Sequence, residues 1–317
     1  MEGRELDLEA ILGGGDLGDV PEGHRAGMVG LVGRPNVGKS TLLNAMVGQK
    51  VAIVTPVPGT TRNTIRGVVT REDAQLVFID TPGIAKPKTL LTRRLNELVR
   101  DSWSGMDVVC FLVDVAGGIG PGDRLLAEML ADVRTPVVAV ANKEDLVTHK
   151  ERMLPELSKL SGLREFAEVV PVSAATGSNV DHLVDVLVGY LPEAPRFFAD
   201  GYVTDQPERQ LAAEILREKL IATMAQEVPH SIMVTVDEVA LAQHRDDLLE
   251  IDAVVHVERD SQKGIVLGKG GDNLKRAATE ARTELETLLG AKVFLRTHVK
   301  VAKDWQRDPR KLGRFGY

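Results

Sequence analysis

The run Gly33-Arg34-Pro35-Asn36-Val37-Gly38-Lys39-Ser40 follows the pattern G-x-x-x-x-G-K-[ST]. Residue types at this spacing bind phosphate. Gly33 and Gly38 let the backbone curl so that its N–H groups face inward, and a helix starting near Gly38 adds its positive end to the same site. Arg34, Pro35, Val37 and Thr41 complete this cradle. Lys39 reaches the outer phosphates, and the Ser40 hydroxyl suits Mg²⁺. Further along, Asp80-Thr81-Pro82-Gly83 offers a carboxylate for the same ion, through water. Its Gly83 N–H has no side chain to screen it from a terminal phosphate. Asn142-Lys143-Glu144-Asp145 selects a base. The Asp145 carboxylate accepts two hydrogen bonds, matching the N1–H and 2-amino donors of guanine. Adenine has no such pair and leaves the site unsatisfied. Asn142 braces the neighbouring loops, the Lys143 stem covers the base face, and backbone N–H groups of Ser173-Ala174-Ala175 meet the guanine O6.

Each motif needs an element to hold it. Apolar runs at 27–32, 76–79, 108–113, 136–140 and 169–172 read as buried strands. Segments of helical length, 38–47, 88–102, 122–133, 149–161 and 179–190, lie between several of them. The alternation predicts an α/β domain over 28–190 with a mostly parallel sheet and helices on both faces. Residues 64–70 are expected as an antiparallel edge strand. Two prolines in Leu191-Pro192-Glu193-Ala194-Pro195 break the pattern and predict a linker over 191–206. Residues 207–317 read as a separate α+β domain. It is expected to hold a helix over 207–226, strands near 231–238 and 251–258, a glycine-rich turn at 268–271, a helix over 271–289 and a strand near 291–302.

Four motifs in this order, each at a strand end, resemble the translation-factor-like class of P-loop GTPases. The resemblance covers about 28–190 and implies GTP, GDP, Mg²⁺ and a two-state switch. In that setting Pro58-Gly59-Thr60-Thr61-Arg62 supplies a threonine hydroxyl that binds Mg²⁺ with GTP and is released after hydrolysis. Two threonines compete; Thr61, directly before Arg62, is favoured and Thr60 is second. Ile84 follows Gly83, where many such enzymes carry a Gln that orients the attacking water. An aliphatic side chain cannot do this, so intrinsic hydrolysis is expected to be slow or to use another stabiliser. Asn36 together with Ile84 resembles a group in which K⁺ supplies charge near the leaving phosphate. Alternatively, Asn36 caps the turn. Lys39, Asn36, Thr61 and Gly83 are the catalytic candidates.

In the second domain, Gly268-Lys269-Gly270-Gly271 sits between an apolar run and a helix. This resembles the KH module, whose G-x-x-G loop clamps about four single-stranded nucleotides. The glycines let phosphates lie against the backbone, and Lys269 and Lys275 supply charge. Lys292, Arg296 and Lys300 share parity on the last strand and predict a basic face. A helix-entry turn is the alternative reading. Charge distribution favours nucleic acid here. The chain of 317 residues carries −7 overall, but residues 1–27 hold −5, 28–197 are neutral, 198–250 hold −7 and 251–317 hold +5. Twelve aromatic residues in the whole chain disfavour stacking as the main mode of recognition.

One GTPase domain, a linker and one C-terminal KH-like module together resemble the Era family of bacterial ribosome-assembly GTPases. Arg217-Glu218-Lys219-Leu220, Glu227-Val228-Pro229-His230-Ser231 and Lys303-Asp304-Trp305 extend the match, which covers about 28–317. The resemblance implies a type II KH topology and a monomeric switch. Its implied ligand is single-stranded RNA near the 3′ end of small-subunit ribosomal RNA, its partner the 30S subunit. It also implies a cytoplasmic location with loose association with the inner membrane surface. An RNA chaperone that uses GTP structurally and a membrane-linked regulator are the competing readings. The acidic stretch 1–27, with Gly13-Gly14-Gly15, lies outside the match and is expected as a flexible extension, not a signal peptide. No run reaches ~18 apolar residues. The single Cys110 excludes an internal disulfide or a multi-cysteine metal site.

Overall fold

The computed structural model describes residues 20–84, 89–149, 151, 153–224, 228–243 and 245–317. Residues 1–19 of the acidic extension lie outside that set. The chain divides into two compact units. Among the described residues, the first holds 20–52, 61–84 and 95–205, and the second holds 53–60, 89–94 and 206–317.

The first unit is built on six strands: β1 Arg25–Gly33, β2 Ile65–Thr70, β3 Ala74–Asp80, β4 Val108–Asp114, β5 Val137–Asn142 and β6 Glu168–Val172. Their order is β2-β3-β1-β4-β5-β6. All neighbours run parallel except β2, the expected antiparallel edge, which pairs with β3. Every residue of β3 and β5 is buried, as it must be when both sheet faces are covered. Alternate residues feed two cores. Val29, Leu31, Leu76, Phe78, Cys110 and Leu112 pack on one face with α1 (Lys39–Val47) and with Val180–Gly189. Val32, Val109, Phe111, Val113 and Ala139 pack on the other face with Pro121–Met129 and Met153–Ser161.

Parallel pairing sets the register of the strand ends. Leu31 lies opposite Asp80, Gly33 opposite Leu112, and Asn142 opposite both Asp114 and Val172. The loops after β1, β3, β4, β5 and β6 therefore leave one edge. β3 and β4 flank β1 on opposite sides, so the strand order reverses at β1, the topological switch point where α/β sheets bind ligands.

Two expectations change. β1 begins at Arg25, before the apolar run, because pairing to Ala74 uses backbone groups. The segment expected as a linker is ordered on the first unit. The Val68 N–H donates to the Val203 carbonyl at 2.8 Å, covering the free edge of β2. Gln75 Nε2 donates to the Phe198 carbonyl at 2.9 Å, and Phe198 stacks on Tyr202.

The second unit has a three-stranded sheet, β7 Met233–Ala242, β8 Arg245–Val257 and β9 Lys292–Val301, in the order β7-β8-β9. β7 pairs antiparallel and β9 parallel with β8. Helices Glu208–Ala222 and Asp272–Leu289 bury Leu216, Leu220, Ala277, Ala281 and Leu285 on one face of it, with Ile53 in the same core. Helix Asp260–Leu267, ahead of the glycine turn, is not signalled by the sequence; its hydrophobic stripe is one buried residue, Val266. The motif stretches at 228–231 and 303–305 meet: the Trp305 indole N–H donates to the Ser231 carbonyl at 3.0 Å, with Trp305 fully buried.

Candidate functional site

The loop from β1 to α1 closes around its own lysine. Gly38 has φ +101°, and a Cβ there would lie 2.3 Å from the Asn142 amide; no side chain fits. Lys39 is buried, its Nζ donating to the carbonyls of Gly33 at 3.0 Å and Arg34 at 3.1 Å. Burial pushes the ammonium below its usual range, and the neighbouring Asp80 carboxylate works against that. Arg34 is held by the fully buried Asp123 at 2.7 Å, and Asp123 also accepts the Gly120 N–H at 2.8 Å.

Three oxygens converge beside Lys39. Ser40 Oγ donates to Asp80 Oδ2 at 2.6 Å and lies 3.0 Å from Thr61 Oγ1. Asp80 is fully buried, and its Oδ1 has no hydrogen-bond partner. Burial raises its carboxyl above the usual range, opposed by Lys39 and the Ser40 hydrogen bond. Two hydroxyls and a carboxylate with an unused oxygen are the hard donors that Mg²⁺ takes. The two candidate threonines differ in place. Thr61 Oγ1 faces Ser40, whereas Thr60 Oγ1 lies 2.5 Å from Thr55 Oγ1 and donates to the Val57 carbonyl at 2.7 Å. Thr81 Oγ1 donates to the Leu31 carbonyl at 3.1 Å, tying the end of β3 to β1. Gly83 approaches the turn at Pro35. Ile84 is partly buried and packs against the core that includes Trp103 and Leu126.

At the far side, Asn142 joins two loops: its Nδ2 donates to the Val37 carbonyl at 2.8 Å, and its Oδ1 accepts the Ala174 N–H at 3.0 Å. Lys143 has φ +68°. Its Nζ donates to the Asn36 carbonyl at 2.8 Å and pairs with Asp114 at 2.7 Å. Ser173 Oγ donates to Asp145 Oδ1 at 2.6 Å, which fixes an exposed carboxylate beside exposed Ala175. Asp114 and Asp123 belong to this constellation and carry no motif; their only signal is a carboxylate at a strand end and one in a first helical turn.

In the second unit Gly268, Gly270 and Gly271 all have positive φ, +71°, +64° and +88°. Asn273 Nδ2 donates back to the Ile265 carbonyl at 3.1 Å, fastening the loop. A groove of about 440 Å³ runs beside it, lined by Gly271, Leu274, Lys275, Ala278 and Arg282 on the helix and by Phe294, Leu295 and Thr297 on β9. Lys275 on its wall is exposed, as is Lys269 in the adjoining loop. Lys292, Arg296 and Lys300 share one exposed face of β9 but do not line the groove. Lys292 pairs with Asp247 at 3.2 Å and Arg296 with Asp252 at 2.9 Å, so acidic residues of β8 offset part of the expected basic face. Phe294, half-exposed with the Arg296 guanidinium 5.6 Å from its ring centre, was not singled out by sequence.

The model of the 50S ribosome-binding GTPase family matches residues 28–143, and that of the KH domain matches residues 227–306. The chain is 50% identical over 296 residues to GTPase Era of Mycolicibacterium paratuberculosis, covering 92% of this chain and 99% of that protein. It is 49% identical to GTPase Era of Mycobacterium tuberculosis, covering 92% and 98%. Among solved structures, an Aquifex aeolicus Era variant bound to GDP·AlF4⁻ matches with a TM-score of 0.90 and 40% identity over 92% of this chain and 99% of that one. Era in complex with MgGDPNP and nucleotides 1506–1542 of 16S ribosomal RNA matches with a TM-score of 0.90 and 39% identity over 93% and 99%. With half its residues shared across nearly the whole length of such relatives, and a GTPase unit followed by a KH unit, the chain belongs to the Era family of GTPases.

Proposed function

We propose that this GTPase uses GTP binding and hydrolysis to time its hold on single-stranded RNA near the 3′ end of small-subunit ribosomal RNA, and so assists 30S assembly. The observation that carries the reading is the groove beside the fastened Gly268–Gly271 loop, in a chain that also gathers five nucleotide loops at one sheet edge. A related structure holds both ligands at once, MgGDPNP and 16S ribosomal RNA.

The residues divide the work. Lys39, released from the Gly33 and Arg34 carbonyls, turns its charge to the β- and γ-phosphates. Ser40, Thr61 and Asp80 hold Mg²⁺, which when bound neutralises charge spreading over those phosphates. Gly83 presents its N–H to the γ-phosphate. Asn142 keeps the base loop and the phosphate loop in one frame, and Asp145 reads guanine. Ile84 brings no polar group to the attacking water, so hydrolysis relies on the phosphate loop for stabilisation. Asn36 is the residue through which K⁺ acts in this reading; equal rates in Na⁺ and K⁺ buffers would remove that part of it.

Lys269, Lys275 and the loop backbone hold RNA phosphates, with bases laid along Leu274, Ala278 and Phe294. The test is fluorescence anisotropy of an oligonucleotide matching the 16S 3′ end. Tighter binding with a GTP analogue than with GDP, lost in Gly268→Asp, is expected. Nucleotide-independent binding would favour the chaperone reading. No helix among the described residues is long and apolar enough to cross a membrane. We assign the chain to the cytoplasm with peripheral contact at the inner membrane surface, which liposome flotation checks.

A further inference from the structure

Lysine is a flexible side chain, and one that is to cover a nucleobase must be pinned at its far end. Lys143 is pinned twice. Its Nζ donates to the Asn36 carbonyl at 2.8 Å and to Asp114 Oδ2 at 2.7 Å. Its backbone sits at φ +68°, a left-handed conformation that a residue other than glycine keeps only where its surroundings hold it. Asp114 is itself fixed. It ends β4 directly opposite Asn142, the residue before Lys143, and the Val115 N–H donates to the Asn142 carbonyl at 3.1 Å. Its second oxygen, Oδ1, accepts the Gly117 N–H at 2.9 Å.

One carboxylate therefore joins three loops of the first unit. It reaches the loop after β4 through Gly117, the loop after β5 through Lys143, and the phosphate loop through the bond from Lys143 to Asn36. The pair is partly open to solvent, with 29% of the Lys143 side chain and 21% of that of Asp114 exposed, so as an isolated ion pair it adds little stability. Its geometry does something else. With the ammonium held between two fixed acceptors, few rotamers of the four-carbon stem remain, and the cost of ordering it is met before a ligand arrives.

We propose that Asp114 is a positioning residue of the nucleotide site: it holds the Lys143 ammonium against the Asn36 carbonyl, so that the stem is already in place to cover a guanine. The inference rests on the reading of Asn142–Asp145 as the base loop. Asp114 acts only through Lys143 and touches neither base nor phosphate. Its loss should therefore weaken GTP and GDP by the same factor, since both carry the same base, and leave the choice of base to Asp145.

Asp114→Asn keeps the size of the side chain and an oxygen for the Gly117 N–H but drops the charge. Lys143→Met keeps an apolar stem and drops the ammonium. Affinities of both single variants and of the double variant for fluorescently labelled GDP and a GTP analogue are measured at equilibrium, with melting curves to confirm folding. Asp114→Asn is expected to bind both nucleotides about five- to tenfold less tightly, the worth of one partly exposed, charge-assisted hydrogen bond. The double variant should bind no worse than Lys143→Met, because residues that act through one another are not additive. Preference for GDP over inosine diphosphate, whose base lacks the 2-amino group, should be unchanged in Asp114→Asn. If the two losses add in the double variant, or if Asp114→Asn binds as the parent does while Lys143→Met is weakened, the positioning role is wrong. A loss confined to the GTP analogue, or an eroded preference over inosine diphosphate, places the effect on the phosphates or on Asp145 and overturns it as well. If Lys143→Met binds as the parent does, the base-loop reading of Lys143 fails and the inference falls with it.

Discussion

At the scale of single residues, the proposed nucleotide site is built from buried polar groups held against one another. Lys39 spends its donors on two carbonyls, and Asp80 keeps one oxygen without a partner. Base selection is more exposed. Among the hydrogen bonds described, Asp145 accepts only from Ser173, which leaves acceptor capacity for the guanine donors in the proposed reading. Asp145→Asn replaces one acceptor with a donor facing a donor. It should weaken GDP binding by about 1–3 kcal/mol and leave the fold intact, read by competition of GDP against xanthosine diphosphate, whose base offers an oxygen there. Asp123 is a different case, a fully buried carboxylate serving Arg34 and Gly120. Asp123→Ala strands those donors and should cost about 1–3 kcal/mol of stability, measured by denaturant unfolding, with nucleotide affinity falling as the phosphate loop loosens.

At the scale of elements, the three-stranded sheet of the second unit carries a titrating group. His256 on β8 is buried, lies 3.0 Å from Thr235 Oγ1 across the ladder and 4.8 Å from the Phe315 ring. Burial first, then the charges of Lys300 and Arg314, lower its pKa from 6.5 to about 4, with Asp237 opposing. The unfolded chain then binds more protons than the folded one between those values. Stability is full above about pH 6.5 and is lost as pH falls toward 4, by up to about 3 kcal/mol. His256→Phe should flatten that slope in unfolding curves taken at several pH values. The parallel sheet of the first unit was legible in the sequence because its strands are buried on both faces and read as unbroken apolar runs. Helix Asp260–Leu267 was not, since it buries a single residue. The ordered path of 191–205 was hidden as well, because its contacts to β2 and β3 mix backbone hydrogen bonds with scattered side chains, Phe198 and Tyr202 on Val68, Val77 and Ile79, that follow no period.

At the scale of the molecule, the net charge of −7 conceals a +5 C-terminal segment. On β9, Lys292 is offset by Asp247 from outside that segment, and Arg296 by Asp252 within it. Binding of RNA should therefore rest on few phosphate contacts near Lys269 and Lys275. With about three of them, raising salt from about 50 to 200 mM should cost only about twentyfold in affinity. Lys269→Ala should make the slope of log affinity against log salt shallower, by about 0.7. A much steeper dependence in the parent would mean that a wider basic surface is engaged.

What the sequence determined by itself is the local chemistry. The phosphate loop, Asp80–Gly83, Asn142–Asp145 and Gly268–Gly271 are contiguous, and each needs particular residues at fixed spacing beside a strand or helix end. Pattern alone therefore located them. Tertiary structure decided which distant groups meet them. It turned Thr61 rather than Thr60 toward Ser40, joined Asp114 to Lys143 and Asp123 to Arg34, and paired Lys292 and Arg296 with acids of β8. It also placed the Thr60 carbonyl on Arg217, 157 residues away. Contacts across such separations arise from strand order and helix packing and leave no period or spacing in the chain, so only the folded molecule shows them.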